Sequence, residues 1–202
     1  MKNIAVFASG RGSNFGAIAA AVKSGKIPAR LALLVSDQPG AGVIAKALRL
    51  RVKAVIIRRE DFASKDAFES AIIGVLKNNK IDLLALAGFM RMLGPKLLRA
   101  YRGRIMNIHP ALLPSFKGSR AISDAFDYGV KLTGVTVHFV DELMDHGPVI
   151  LQEAVRIEEK DTPRSLEEKI HRLEHRLYPE AISLFIKGKL KAKGRKVRIS
   201  SR

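Results

Sequence analysis

The sequence contains no cysteine and no tryptophan, and its acidic residues are few beside its basic ones. Without cysteine the chain has no disulfides, thiolate zinc sites or cysteine nucleophiles, so a metal would need histidine and carboxylate ligands. No apolar run approaches the roughly 20 residues that a membrane helix requires. The N-terminal stretch reaches glycine and serine too soon for a secretory signal. These absences favour a cytoplasmic protein with no metal and no membrane partner.

The chain has 202 residues, 47% of them hydrophobic, which suits one domain with a substantial core. Its net charge is +17, but eight basic residues and no acidic residue lie in 187–202, so the remainder carries only +9. We therefore expect residues 1–189 to form a single domain and residues 190–202 to form a basic, flexible tail. No specific nucleic-acid partner is expected, and the remaining charge suits small anionic substrates.

Short apolar segments alternate with segments of helical spacing through the first half of the chain. The apolar segments predict strands at 4–8, 31–35, 54–57, 83–87 and 106–108. Helices are predicted from Phe15, at 43–50, at 65–76 with Ser64 as the N-cap, and around 96–100. This alternation predicts a mostly parallel twisted sheet with helices on both faces.

The pattern changes after Pro114. Residues 134–140 and 149–155 predict two strands joined by a loop, and these favour an antiparallel addition at one edge of the sheet. A final helix is predicted from Leu166 to Ile186 by its apolar stripe. Ligands of such sheets bind where strands end and loops gather. We therefore expect one cleft beyond the strand ends.

A glycine-rich segment, Ser9-Gly10-Arg11-Gly12-Ser13-Asn14, links the first predicted strand to a helix. Free backbone N–H groups at a helix start favour a phosphate. The segment lacks the lysine of a nucleotide P-loop, and Phe15 replaces the third glycine of the dinucleotide pattern. The alternative interpretation is a tight turn with a helix cap, and no nucleotide is specified.

Asn107, His109 and Asp145 form the chemically most informative combination. Asn107 and His109 lie on one face of a predicted strand by alternation, and Pro110 keeps the backbone of His109 extended. An amide stabilises a developing oxyanion, an imidazole moves a proton, and a carboxylate orients a charged imidazole. This set suits acyl-type transfer.

The other histidines give weaker signals. His171 and His175 have the i, i+4 spacing of metal ligands on a helix, but no further cluster supports them. His146 is interpreted as loop surface. His138 is expected near the cleft, where it could be an auxiliary polar group.

Five segments carry a family resemblance: SGRGSN at 9–14, LAGFMRML at 86–93, MNIHPALLPSFKG at 106–118, GVTVHFVDELMDHGPVI at 134–150 and EHRLYP at 174–179. Together they closely resemble the phosphoribosylglycinamide formyltransferase family. The resemblance extends from residue 2 to about residue 189. It implies a Rossmann-like formyltransferase fold with a phosphate-binding N-terminal half and a folate-binding C-terminal half. Such enzymes transfer a formyl group from 10-formyltetrahydrofolate to phosphoribosylglycinamide in purine biosynthesis, as monomers or homodimers.

The resemblance also implies roles for individual residues. The catalytic residues would be Asn107, His109 and Asp145. The substrate phosphate would bind Gly12, Ser13 and Asn14, and Glu174 would meet the glycinamide end. The formyl folate would contact Lys65, Met90, Arg91, Met92, Leu93, Asn107, Val140 and Asp141. Arg91 would meet the glutamyl tail, and Lys65 would be a basic folate contact.

Two related enzymes and one unrelated class remain as alternatives. Methionyl-tRNA formyltransferase resembles the chain around residues 107–114, but carries a further tRNA-binding domain. Formyltetrahydrofolate deformylase shares the catalytic set, but carries an extra N-terminal domain. A non-catalytic nucleic-acid-binding protein would use the basic tail.

Overall fold

A computed structural model describes residues 1–200, which form one nine-stranded sheet with the order β3-β2-β1-β4-β5-β6-β7-β9-β8. The strands are β1 (Lys2–Phe7), β2 (Ala29–Ser36), β3 (Lys53–Ile56), β4 (Leu83–Leu86), β5 (Ile105–His109), β6 (Leu132–Phe139), β7 (Val149–Arg156), β8 (Leu190–Lys193) and β9 (Lys196–Ile199). The helices are α1 (Ser13–Lys23), α2 (Gly42–Arg49), α3 (Lys65–Asn78), α4 (Pro95–Ala100), α5 (Ala121–Tyr128) and α6 (Pro163–Ile186), with a short 3-10 turn at Arg59–Asp61.

The first five strands are parallel, as the sequence predicts. β1 pairs with β2 on one side and with β4 on the other. The chain continues from β1 to β2 and from β4 to β5, and these two strands lie on opposite sides of β1. The loops after β1 and β4 therefore separate and open a crevice at their carboxyl ends, where α/β sheets bind ligands. The predicted cap of α3 is confirmed, because the Ser64 hydroxyl accepts a hydrogen bond from the Ala67 N–H at 3.0 Å.

The predicted antiparallel edge is also confirmed. β6 runs antiparallel to both β5 and β7, and Asn107 of β5 lies opposite His138 of β6. The connection from β6 to β7 starts after Phe139, which lies opposite Met106 of β5, and passes Asn107, whose side chain contacts Asp145. It thereby brings Asp145 to the crevice formed by the first five strands.

Each face of the sheet buries its own apolar core. One core collects side chains from α1 and α6, including Ile18, Leu173 and Ile182, and the other collects side chains from α3, including Ile72 and Leu76. The buried Tyr178 hydroxyl of α6 lies 2.8 Å from the Leu86 carbonyl and 2.9 Å from the Met106 carbonyl. These contacts fix α6 against β4 and β5. Within residues 1–200 no helix is long and apolar enough to cross a bilayer.

The segment after α6 differs from the predicted flexible tail. β8 and β9 form an antiparallel hairpin, and β9 meets β7 at the pair Val149 and Lys196. The two-residue turn starts at Gly194, whose φ of +58° suits a tight hairpin. Leu190 and Val197 pack against the main core, which gives this highly charged segment a reason to order. Residues 201 and 202 of the predicted tail lie outside the described part of the chain.

Candidate active site

A cavity of about 430 Å³ lies at the carboxyl ends of β1, β4 and β5. This volume suits a small-molecule site. The cavity is lined by all but one of the residues that the sequence singles out for catalysis or binding: Gly12, Ser13, Asn14, Met90, Arg91, Met92, Leu93, Asn107, His109, Val140, Asp141, Asp145 and Glu174.

Lys65 is the exception. It is the first residue of α3, and its side chain lies beside Gly94 rather than in the cavity wall. Gly94 follows directly on the loop that carries Met90 to Leu93, so Lys65 lies behind that loop. Lys65 is therefore not part of the cavity lining.

The glycine-rich segment forms the start of α1. Gly12 has a φ of +69°, and a Cβ there would lie 2.4 Å from Cγ2 of Val43, so the close approach of α2 requires glycine. The Lys46 ammonium donates to the Gly12 carbonyl at 3.2 Å. The start of α1 is thus fixed at the cavity wall, with the dipole end that favours an anion.

Asn14 and Glu174 connect this helix start to α6. The Asn14 amide donates to Oε2 of Glu174 at 3.0 Å, and both side chains are buried. Within residues 1–200, the buried Oδ1 of Asn14 has no hydrogen-bond partner. Such an atom at a cavity wall is suited to receive a donor from a ligand.

His171, which the sequence suggested only as a weak metal ligand, belongs to this side of the cavity. Its Nδ1 lies 2.9 Å from Glu174 and its Nε2 lies 3.2 Å from Glu167. The hydrogen bond to Glu174 raises the pKa of His171, and burial partly opposes it. The Arg11 guanidinium meets Glu167 at 3.2 Å. His171 and Arg11 thus lie beside the helix start, paired with the carboxylates of Glu174 and Glu167.

Asn107, His109 and Asp145 come together at the opposite side of the cavity. Nδ1 of His109 lies 3.5 Å from Oδ2 of Asp145, and Nδ2 of Asn107 lies 3.4 Å from Oδ1 of the same carboxylate. The Gly118 N–H donates to Oδ2 of Asp145 at 2.9 Å. Asp145 has a φ of +47°, a costly conformation for a residue with a side chain. The fold thus holds this carboxylate against both partners at some conformational cost.

The second ring nitrogen of His109 is also occupied. Its Nε2 donates to the Phe116 carbonyl at 2.8 Å, and the ring is buried. Both nitrogens therefore face oxygen atoms, Nε2 the Phe116 carbonyl and Nδ1 the Asp145 carboxylate. The carbonyl belongs to the loop after β5, which also supplies Gly118.

His138 completes the polar cluster, and the sequence left its role open. Its Nδ1 donates to the Phe139 carbonyl at 2.8 Å, which leaves Nε2 as an acceptor for the Asn107 amide at 3.3 Å. Burial lowers the pKa of His138 and outweighs the attraction of Asp145. A neutral His138 therefore holds the amino end of Asn107 toward itself. Only the strand register, which sets Asn107 opposite His138, reveals this contact.

A buried carboxylate organises the loop after β4. Asp37 is 3% exposed, and it accepts hydrogen bonds from the Ser9 hydroxyl at 2.6 Å and from Nε of Arg91 at 2.7 Å. The Ser9 hydroxyl in turn accepts from the Met90 N–H at 3.1 Å. Asp37 was not predicted as a site residue, because it follows a strand remote from the quoted motifs.

The outer wall of the cavity is apolar and open. Met90 is 70% exposed and Leu143 is 60% exposed, although both line the cavity. Met92 and Met144 are exposed beside them. Apolar side chains exposed around a polar cavity floor are typical of a surface that a flat organic ligand covers.

Comparison with known proteins agrees with this geometry. The chain matches the family model for formyl transferases over residues 2–182. The phosphoribosylglycinamide formyltransferase of Bacillus subtilis (strain 168) is 50% identical over 182 residues, covering 90% of this chain and 93% of that protein.

Two solved structures are similar to this chain in both fold and sequence. Glycinamide ribonucleotide transformylase 1 from Symbiobacterium toebii has a TM-score of 0.96 and 44% identity, covering 98% of this chain and 94% of that chain. The transformylase 1 from Geobacillus kaustophilus has a TM-score of 0.90 and 54% identity, covering 92% of this chain and 99% of that chain. The protein belongs to the formyl transferase family, among the phosphoribosylglycinamide formyltransferases.

Proposed function

We propose that the protein transfers the formyl group of 10-formyltetrahydrofolate to the amine of phosphoribosylglycinamide, a step of purine biosynthesis. The observation that carries this proposal is that one cavity joins a helix start suited to phosphate with the cluster of Asn107, His109 and Asp145. A phosphorylated acceptor bound at the helix start would thus reach an acyl-transfer site.

The acceptor would lie along α1 and α6. Its phosphate would meet the N–H groups of Gly12, Ser13 and Asn14, with His171 supplying positive charge. Its glycinamide end would meet Glu174, which is already held by Asn14 and His171. The unpartnered Oδ1 of Asn14 would accept a donor from the substrate.

The folate would occupy the apolar side. The segment Met90 to Leu93 would offer backbone groups to the pterin, and Val140 and Asp141 would close the pocket from the loop after β6. Asp37 holds Arg91 at this rim, where the guanidinium would meet the glutamyl tail. Lys65 lies behind the segment, so it would serve only a tail that extends beyond the cavity.

The chemical step would be attack of the acceptor amine on the formyl carbon, which moves negative charge onto the formyl oxygen. The Asn107 amide and protonated His109 would stabilise that oxygen, and Asp145 would keep His109 charged. The distances from Asn107 to His138 and Asp145 are at the long end for hydrogen bonds, so an oxyanion can compete for an amide hydrogen.

His109 needs one rearrangement to reach the oxyanion. Its Nε2 donates to the Phe116 carbonyl, so substrate would have to replace that carbonyl. Catalytic hydrogen bonds are often incomplete until the substrate binds. The proton would pass from the attacking amine to the leaving folate nitrogen through His109 or through water.

An assay with competing acceptors tests the proposal. The protein would be mixed with 10-formyltetrahydrofolate and phosphoribosylglycinamide, charged methionyl-tRNA or water alone, and folate absorbance would be followed. Transfer to phosphoribosylglycinamide is expected. Formate release alone would identify a deformylase, and transfer only to methionyl-tRNA would identify the tRNA enzyme; either outcome would contradict the proposal.

The basic C-terminal segment supports no competing function. A nucleic-acid-binding protein would be retained on DNA through residues 187–202, and retention that moderate salt removes would show only nonspecific charge. The intact cluster of Asn107, His109 and Asp145 favours the enzyme.

A further inference from the structure

The loop from Asp141 to Pro148 carries Asp145 but has little core of its own. Leu143 and Met144 in its middle are exposed. Its ends are fixed by the bond from the Phe139 N–H to the Pro148 carbonyl at 2.9 Å and by the close packing of Gly147 on the Phe139 carbonyl. A loop of this kind needs a further support to hold a functional side chain in place.

The tip of the C-terminal hairpin supplies such a contact. Nη2 of Arg195 donates to the His146 carbonyl at 2.8 Å, and Nη1 lies against the imidazole ring, 2.9 Å from Nε2 and 3.3 Å from Nδ1. The ring of His146 continues the contact, because its Nδ1 lies 2.8 Å from Oδ2 of Asp141. Oδ1 of Asp141 accepts from the Leu143 N–H at 3.0 Å.

Asp141 is the acceptor in the contact with His146, because a carboxylate oxygen only accepts. Nδ1–H of His146 therefore donates to Oδ2 of Asp141. Arg195, His146 and Asp141 thus form a continuous series of contacts across the loop. His146 is held through both its backbone carbonyl and its side chain, next to Asp145.

The hairpin is built to deliver Arg195 to this place. Gly194 makes the tight turn, and β9 meets β7 at Val149, immediately after the loop. Leu190 and Val197 bury the base of the hairpin against the core. Arg195 is therefore presented from a short, anchored element.

We propose that Arg195 is a positioning residue that holds the loop 141–148 in its active conformation, acting through His146. The proposal rests on the proposed function, because Asp145 and the Asp141 side of the folate pocket belong to this loop. Arg195 touches neither of the proposed substrates. Its loss would loosen the folate side of the cavity and leave the phosphate side unchanged.

The test compares Arg195→Ala with Arg198→Ala, which removes the same charge from an exposed position on the same hairpin. Arg195→Ala is expected to raise the KM for the formyl folate about 3-fold to 10-fold and to leave the KM for the acceptor unchanged. Arg195→Lys is expected to recover only part of the loss, since a compact ammonium cannot both lie against the ring and donate to the carbonyl as the planar guanidinium does. Arg198→Ala should behave as the unaltered protein.

A second measurement needs no substrate. Amide hydrogen exchange of residues 142–147 should accelerate in Arg195→Ala and not in Arg198→Ala, with the melting temperature of both variants unchanged. Equal exchange in the two variants would overturn the proposal, whether or not the protein transfers formyl groups. A lack of transfer by the unaltered protein, with exchange accelerated as expected, would overturn only the proposed function. If exchange accelerates and the two KM values rise together, the specific role at the folate side is wrong.

Discussion

Oδ2 of Asp145 lies 3.5 Å from Nδ1 of His109, although the two residues come from different parts of the sheet. His109 ends a parallel strand, whereas Asp145 arrives on the loop of the antiparallel edge. The proposed chemistry therefore depends on the junction between the parallel and antiparallel parts of the sheet.

Asp145→Asn tests whether the carboxylate charge matters. The amide has nearly the same shape but no charge to stabilise the imidazolium that the proposed step uses, so transfer is expected to fall at least about 100-fold. Turnover would be measured with both substrates saturating. Asp127→Asn, an exposed control on α5, should keep full turnover. Near-normal turnover in Asp145→Asn would remove the carboxylate from the mechanism.

Gly12→Ala tests the close contact between α1 and α2. The added Cβ would meet Val43 in a left-handed conformation, so the free energy of unfolding is expected to fall by about 1–3 kcal/mol. Gly16→Ala is the matched control, because a Cβ there has open space inside a helix and should stabilise by up to about 1 kcal/mol. Urea unfolding would measure both. Equal effects would show that α2 does not constrain Gly12.

We expect His171 to make the binding of a phosphorylated acceptor depend on pH. Folding raises its pKa through Glu174, so its charge is present below the ordinary value of 6.5 and is lost as pH rises through the folded value. We expect the KM for the acceptor to rise over that range, and His171→Gln to flatten this part of the profile. The contribution of His171 to folding stability should be lost in the same direction. Identical pH profiles for the two proteins would contradict this role.

Asp37→Asn tests the support behind the folate segment. It removes the ion pair with Arg91, so the free energy of unfolding should fall by about 1–3 kcal/mol and the KM for the formyl folate should rise. Asp66→Asn breaks an exposed pair with Lys96, and should cost less than about 1 kcal/mol. An unchanged KM for the folate in Asp37→Asn would show that Arg91 does not need this partner.

Much of the fold follows from local patterns. The buried strands are short apolar runs, and their alternation with helices of regular spacing specifies a parallel sheet. Helix α5 was missed because its eight residues have no side-chain cap and follow an irregular loop. The hairpin of β8 and β9 was missed because charge dominates its composition, while Leu190 and Val197 gain their burial only from the rest of the fold.

The candidate site could be predicted only in part. Alternation places Asn107 and His109 on one face, and a glycine-rich helix start suggests an anion. The proximity of Asp145 to His109 could be predicted only from the family resemblance, because the sequence of a long loop does not show where its middle residues lie in space. Strand register and the packing of distant segments determine the contacts of His138, Asp37 and Arg195. Local sequence patterns do not encode either, so these contacts could not be predicted.

The most direct test of the central claim is formyl transfer from 10-formyltetrahydrofolate to phosphoribosylglycinamide by the unaltered protein and by His109→Ala. The account predicts transfer by the unaltered protein and a loss of about 100-fold to 1000-fold in the variant, which should remain folded at the assay temperature. Near-normal transfer by a folded His109→Ala would contradict it.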